Sequence, residues 1–162
     1  MGAAEYNGGR REEGMAAVEA VLIGGGNRGR FTYGAWARRH PERLRIVALA
    51  EPVADRRAAM AAEHGLSGDR VAADWREILS RPRLAEVAIV ATGDMLHVGP
   101  ALEAVARGYH LLLEKPIAPD PADCVRVVEA AEQAGRVVQI GHVLRYTTFY
   151  GRVQEIVASG RL

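Results

Sequence analysis

The stretch Val21-Leu22-Ile23-Gly24-Gly25-Gly26-Asn27-Arg28-Gly29 limits what this chain can fold into more than any other. An apolar run ends abruptly at glycines, and a helix-compatible segment follows. Gly24, Gly26 and Gly29 stand at G-x-G-x-x-G spacing. In a strand–turn–helix, the first glycine allows a tight bend. The second lets a pyrophosphate approach the backbone, and the third lets helix and strand pack closely. The free N–H groups and positive dipole end of the helix then face the phosphates, with Asn27 and Arg28 in the turn. An acid, Glu51, closes a second apolar run 22 residues after Gly29. That is the separation at which a carboxylate meets a ribose. Together these features predict a dinucleotide site.

The rest of the chain repeats the pattern. Strands are predicted at 18–23, 44–50, 71–72, 87–92, 110–113 and 137–140. Helices are predicted at 27–40, from the Glu51-Pro52 turn to about 64, at 75–79, at 97–107 and from 121 to a stop at Gly135. Pro41, Gly65 and Gly108 end helices, and Asp74 and Asp120 stand where N-caps belong, the latter followed by Pro121. In the second helix Ala54, Ala58 and Ala61 share one face. Alternating strands and helices imply parallel pairing through right-handed crossovers. The fold class is α/β: a doubly wound, mostly parallel sheet in the order 3-2-1-4-5-6, with helices on both faces. Residues 1–17 form a polar, glycine-rich tail without fixed structure, and Met15 offers an alternative start. Residues 18–145 form the dinucleotide domain. Residues 146–162 read as a helix with Phe149, Val153 and Ile156 on one stripe, which needs a cover.

Composition excludes more than it assigns. The net charge is +1, so no nucleic-acid partner is implied. No apolar run approaches the roughly 18 residues of a membrane span. Cys124 is the sole cysteine, so no internal disulfide forms and a cytoplasmic location fits; its helix position suits a small buried hydrophobe. Arg10-Arg11 lacks the apolar region of a twin-arginine signal. No metal-ligand spacing occurs among His40, His64, His97, His110 and His142, and there is no G-x-S-x-G elbow. Lys115 is the only lysine in an arginine-rich chain.

Ligands of such sheets lie beyond the carboxyl ends of the strands, which singles out five loops. The first is the glycine turn. In the second, Glu51 accepts hydrogen bonds from ribose hydroxyls and repels a 2′-phosphate, favouring NAD. Arg56 and Arg57 keep NADP open, and capping of the next helix is the plainer role for Glu51. In the third, Thr92 and Gly93 lie along the nicotinamide side. His97 there touches cofactor or substrate, or simply caps a helix. In the fourth, Lys115 beside Glu114 and Pro116 is placed to shuttle a substrate proton, with Glu114 holding its ammonium; the alternative is a surface ion pair. In the fifth, Arg145 meets a phosphate or a substrate oxygen and His142 lines the same cleft, or the segment is a helix entry with an exposed arginine.

With these segments in hand, the chain resembles the glucose–fructose oxidoreductase / inositol dehydrogenase (Gfo/Idh/MocA) family. The matching pieces are Gly24 to Gly29, Glu51-Pro52, Thr92 to His97, Gly108 to Pro116 with its Glu-Lys-Pro element, and Gly141 to Tyr146. The resemblance implies a Rossmann domain of an NAD(P)-dependent oxidoreductase acting on a sugar, cyclitol or related polyol. It implies that Lys115 assists proton transfer, that Glu51 binds ribose and that His97 is the histidine ending the strand-four loop. Gly93 and Thr148 stand where relatives usually have proline. The family's second domain, which carries substrate face, oligomer interface and an aspartate–histidine pair, is expected beyond residue 162. A homo-oligomer is expected where that domain is present. Two other readings stand beside the enzyme: a non-catalytic dinucleotide sensor and an inactive truncated fragment.

Overall fold

A computed structural model describes residues 16–161. Residues 16–141 form one compact unit, and residues 142–161 belong to another. The tail expected over 1–17 lies, through residue 15, outside the described residues.

In the first unit, β1 (Val18–Ile23) sits centrally in a sheet of six strands. The others are β2 (Leu44–Ala50), β3 (Val71–Ala72), β4 (Val87–Val90), β5 (His110–Leu113) and β6 (Val138–Ile140). The order is β3-β2-β1-β4-β5-β6, the predicted one. Every neighbouring pair is parallel. Because both faces are covered, the central strands are apolar almost without break. Ala20, Val21, Leu22 and Ile23 are all buried. Between Ala20↔Ile46 and Val21↔Ala48 the register slips, leaving Val47 as an extra residue in β2. The bulge sends Ile46 and Leu49 to one face and Ala48 and Ala50 to the other.

The helices are α1 (Ala35–Arg39), α2 (Ala54–His64), α3 (Trp75–Leu79), α4 (Val98–Ala106) and α5 (Pro121–Gln133). The first helix differs from its expectation: Asn27–Gly34 is π-helical, and only the last turn is α. The alanine face expected of α2 is also displaced. Ala54 and Ala58 are exposed, and Met60 is the buried residue. The largest apolar side chain gains most from burial and so sets the inward face. Gly65 (φ 64°) and Gly135 (φ 62°) follow α2 and α5 in the left-handed conformation. Cys124 is half-buried, with its Sγ 3.6 Å from the Ala118 carbonyl.

Caps fall where the residue types place them. Asp74 and Glu77 form a capping box at α3. The Asp120 carboxylate accepts from the Ala122 N–H at 2.8 Å, with Pro121 at the first helical position. Replacing Asp120 with alanine is expected to cost about 1 kcal/mol, read as a lower urea midpoint at unchanged m-value. An unchanged midpoint would mean that the cap contributes nothing.

One apolar layer, with Tyr109, Leu113 and Val127, covers one face of the sheet. The other holds Leu22, Leu49, Met60 and Ile89. Tyr109 is fully buried, and its hydroxyl accepts the Leu84 N–H at 2.9 Å. In the second unit a 3-10 turn, Val143–Tyr146, precedes α6 (Thr148–Ala158). The Thr147 hydroxyl caps α6, so the helix starts two residues later than expected.

Candidate dinucleotide site

The glycine turn leaves β1 at its carboxyl end. Gly24 adopts φ 99°, and its N–H donates to Ala50 O at 2.9 Å. A Cβ on Gly24 would lie 2.6 Å from Ala91 O. The turn is thus wedged between β2 and β4, where no side chain fits. A Cβ on Gly29 would overlap the carbonyl oxygen of Gly24, so helix and turn touch backbone to backbone. Gly26 is different: nothing lies within 4 Å of where its Cβ would stand. No side chain caps the following segment, so its first N–H groups face that open space with Asn27 exposed beside them.

The π winding aligns two functional side chains. In an α-helix, residues five apart point in different directions. In a π-helix the i→i+5 bonding brings them toward the same side. Arg28 and Tyr33 are such a pair, and both reach Glu114 Oε1. The Tyr33 hydroxyl donates to it at 2.6 Å, and Arg28 Nε at 3.0 Å. Glu114 is 3 % exposed at the end of β5. Burial pushes its carboxyl up, but Tyr33 and Arg28 outweigh that and hold it below the ordinary value. Burial first, then the Glu114 carboxylate, drives the Tyr33 hydroxyl well above its ordinary value.

This changes the role expected for Glu114. Its carboxylate does not hold the Lys115 ammonium; it accepts only the Lys115 backbone N–H, at 3.3 Å. Arg28 has taken the ion pair because it approaches from the neighbouring helix, whereas the Lys115 side chain is exposed. Among the described residues the ammonium has no ion-pair partner. The next peptide, Lys115–Pro116, is cis.

His97 is fully buried. Its Nδ1 lies 2.6 Å from Pro116 O and its Nε2 3.2 Å from Thr92 O. The ring therefore ties the loop after β4 to the Glu-Lys-Pro loop, acting through Pro116 on the position of Lys115. It also stands at the N-cap of α4, without a side-chain capping bond.

Glu51, 3 % exposed, accepts the Gly25 N–H at 2.6 Å and the Val53 N–H at 2.9 Å. It braces the glycine turn against the start of α2. Arg57 donates to Glu51 O at 2.7 Å and Pro52 O at 3.0 Å. Between the loops after β1, β2, β3 and β4 lies a cavity of about 590 Å³, lined by Gly24, Pro52, Trp75, Thr92 and Leu96 among others. Among the described residues, Thr92 Oγ1 is buried without a hydrogen-bond partner. Gly93 begins the 3-10 turn Asp94–Leu96, with open space where a Cβ would stand. An unsatisfied hydroxyl on a cavity wall, together with the open backbone at Gly26, fits a polar ligand laid across the carboxyl ends of the strands.

The first unit thus brings together Gly24, Gly26, Asn27, Arg28, Gly29, Glu51, Thr92, Gly93, His97, Glu114 and Lys115 at one edge of the sheet. His142 and Arg145 lie in the second unit, where the Arg145 N–H donates to His142 O at 3.0 Å. Sequence reasoning missed Tyr33, whose link to Arg28 depends on the π winding. Gly141, read from sequence only as the start of the segment after the last strand, packs where a Cβ would stand 3.2 Å from the Glu114 carboxylate. The spacing of five and the glycine closing the last strand were the available signals.

A doubly wound parallel sheet whose glycine turn is stripped of side chains beside a cavity at the carboxyl ends of the strands defines a dinucleotide-binding Rossmann domain. The chain belongs to the Gfo/Idh/MocA family, described as "Oxidoreductase family, NAD-binding Rossmann fold", which it matches over residues 18–142. It is 37% identical over 119 residues to the inositol 2-dehydrogenase of Streptomyces avermitilis, covering 73% of this chain and 34% of that protein. It is 34% identical over 116 residues to the inositol 2-dehydrogenase of Leifsonia xyli, covering 71% and 33%. The chain therefore spans about a third of the length of these relatives. Among solved structures, the WlbA dehydrogenase of Bordetella pertussis, in complex with NADH and UDP-GlcNAcA, matches with TM-score 0.79 and 26% identity. That match covers 90% of this chain and 43% of that one. An NAD binding oxidoreductase from Klebsiella pneumoniae matches with TM-score 0.73 and 27% identity, covering 90% and 40%. No helix among the described residues is long and apolar enough to cross a membrane.

Proposed function

We propose that the chain is the cofactor-binding half of an NAD(P)-dependent oxidoreductase acting on a carbinol of a sugar, cyclitol or related polyol. The observation that carries this is an exposed, unpaired Lys115 at the same sheet edge as the glycine turn. Bound there, the nicotinamide supplies the hydride acceptor in oxidation and the donor in reduction. The N–H groups after Gly26 bind the phosphates, and Thr92 and Gly93 line the path toward Lys115. Lys115 hydrogen-bonds the substrate oxygen through Nζ and moves its proton. Glu114 and His97 hold the Lys115 backbone from either side. NAD is favoured over NADP, because the Glu51 carboxylate behind the turn opposes a further phosphate.

The test is a fluorescence titration of the full chain with NADH. Gly26→Val has room for its side chain in the fold but blocks the approach of a pyrophosphate. It should keep its thermal midpoint and weaken NADH binding at least about tenfold. Equal binding by Gly26→Val, or no saturation by the folded wild type, would sink the cofactor reading. For the reaction, Lys115→Ala should lower NAD-dependent oxidation of a panel of cyclitols and aldoses, read at the NADH absorbance, with NADH affinity kept. Unchanged turnover would remove Lys115 from the mechanism.

A further inference from the structure

We infer that Arg76 is the residue through which this site reads a 2′-phosphate on the adenosine ribose, and so sets the balance between NADPH and NADH. The inference rests on reading the cavity between β2, β3 and β4 as the adenosine end of the dinucleotide site. The sequence nominates Arg56 or Arg57 for such a contact, one turn into α2. The fold places neither at the cavity. The Arg57 guanidinium is engaged with the carbonyls of Glu51 and Pro52.

Arg76 does line it, and it is the one cation that does so among the described residues. β3 lies beside β2, so the loop after β3 stands next to the loop that carries Glu51 and Pro52. The Arg76 guanidinium lies over the Trp75 ring, 4.4 Å from its centroid. That platform fixes the plane of the cation. Its partner is the Asp74 carboxylate, at 3.1 and 3.2 Å. The pair is exposed, 69% at Arg76 and 45% at Asp74. An exposed pair of this kind contributes little to stability, so the guanidinium exchanges one partner for another at small cost. Asp74 stays engaged when that happens, because its Oδ1 also accepts the Arg76 backbone N–H at 2.8 Å. A phosphate offers the planar fork two acceptor oxygens and more charge than the carboxylate it replaces. Glu51 and Arg76 thus act on the same ribose with opposite sign. The buried acid opposes a second phosphate from the turn, and the stacked arginine draws it from the cavity wall.

The test compares Kd values for NADH and NADPH, by fluorescence, in the full-length wild type, Arg76→Gln and Arg57→Gln. In Arg76→Gln the ratio of the NADPH Kd to the NADH Kd should rise about tenfold, as for loss of one charge-assisted bidentate contact. Arg57→Gln should keep the wild-type ratio. Far-UV circular dichroism confirms that each variant is folded. An unchanged ratio in Arg76→Gln, or an equal rise in Arg57→Gln, overturns the inference while leaving the cofactor reading intact. So does a wild type that binds NADH but not NADPH at millimolar concentration. A folded wild type that binds neither overturns both.

Discussion

Replacing Gly29 with alanine is expected to destabilise the protein by about 3 kcal/mol, the upper end of ordinary overpacking penalties, and to remove NADH binding. The new methyl group would overlap the carbonyl oxygen of Gly24. The obstacle is backbone, so no side-chain rotation relieves it. Moving Gly24 is blocked in turn: its N–H is bonded to Ala50 O, and Ala91 O stands 2.6 Å from where its own Cβ would be. The helix must back away from the turn, and the N–H groups after Gly26 move with it. Urea denaturation and NADH titration read the two effects. Gly26→Val separates them, because it meets open space in the fold and acts only on the ligand. A Gly29→Ala protein with wild-type midpoint and affinity would show that the turn and helix are less tightly joined than their geometry requires.

Glu114→Gln should cost about 2 kcal/mol at neutral pH, since hydrogen bonds to a charged group are worth more than neutral ones. It leaves the Arg28 guanidinium and the Tyr33 hydroxyl facing an uncharged amide. The distinguishing readout is pH. The folded protein holds the Glu114 carboxyl below its ordinary value. Its contribution is therefore complete above the unfolded value of about 4.3 and is lost as pH falls through the lower folded value. The gap between wild type and Glu114→Gln should be widest near pH 7 and narrow as the solution is acidified below pH 4. Glu63 and Asp74 are also held low, but they titrate equally in both proteins and cancel in the difference. A gap that stays constant with pH would mean that the charge contributes nothing. At the alkaline end the sign reverses. The Tyr33 hydroxyl is pushed up, so its contribution is complete below the unfolded value of about 10 and declines as pH rises beyond it.

The sheet was legible from sequence because its signals are local and redundant. Val18–Ile23 and Leu44–Ala50 appear where apolar runs meet breakers, and the strand order follows from the alternation of strands and helices. The G-x-G-x-x-G spacing marked the glycine turn, and Glu51, Thr92 and Lys115 stand, as expected, just past the carboxyl ends of β2, β4 and β5. Partnerships were harder to read. Nothing in a linear sequence tells Glu114 to prefer Arg28, 86 positions away, over its neighbour Lys115. That choice depends on a π winding in a segment whose composition reads as α. The burial of His97 likewise needs the third dimension, since the two carbonyls it meets come from different loops. Arg57 and Arg76 exchanged importance for the same reason: spacing brings the first close to Glu51, and the neighbouring strand carries the second to the cavity.

Lys115 is exposed, has no ion-pair partner among the described residues, and is the chain's only side-chain amine. An acylating or reductively alkylating reagent therefore finds one lysine, in the loop at the carboxyl end of β5. The α-amino group, with its ordinary pKa near 7.7–8.0, reacts at lower pH and can be modified separately. A fluorophore or an isotopically labelled methyl group placed on Lys115 becomes a built-in reporter. It would follow occupancy, closure and ionisation at a single address, with no engineered cysteine and no background from the rest of the surface.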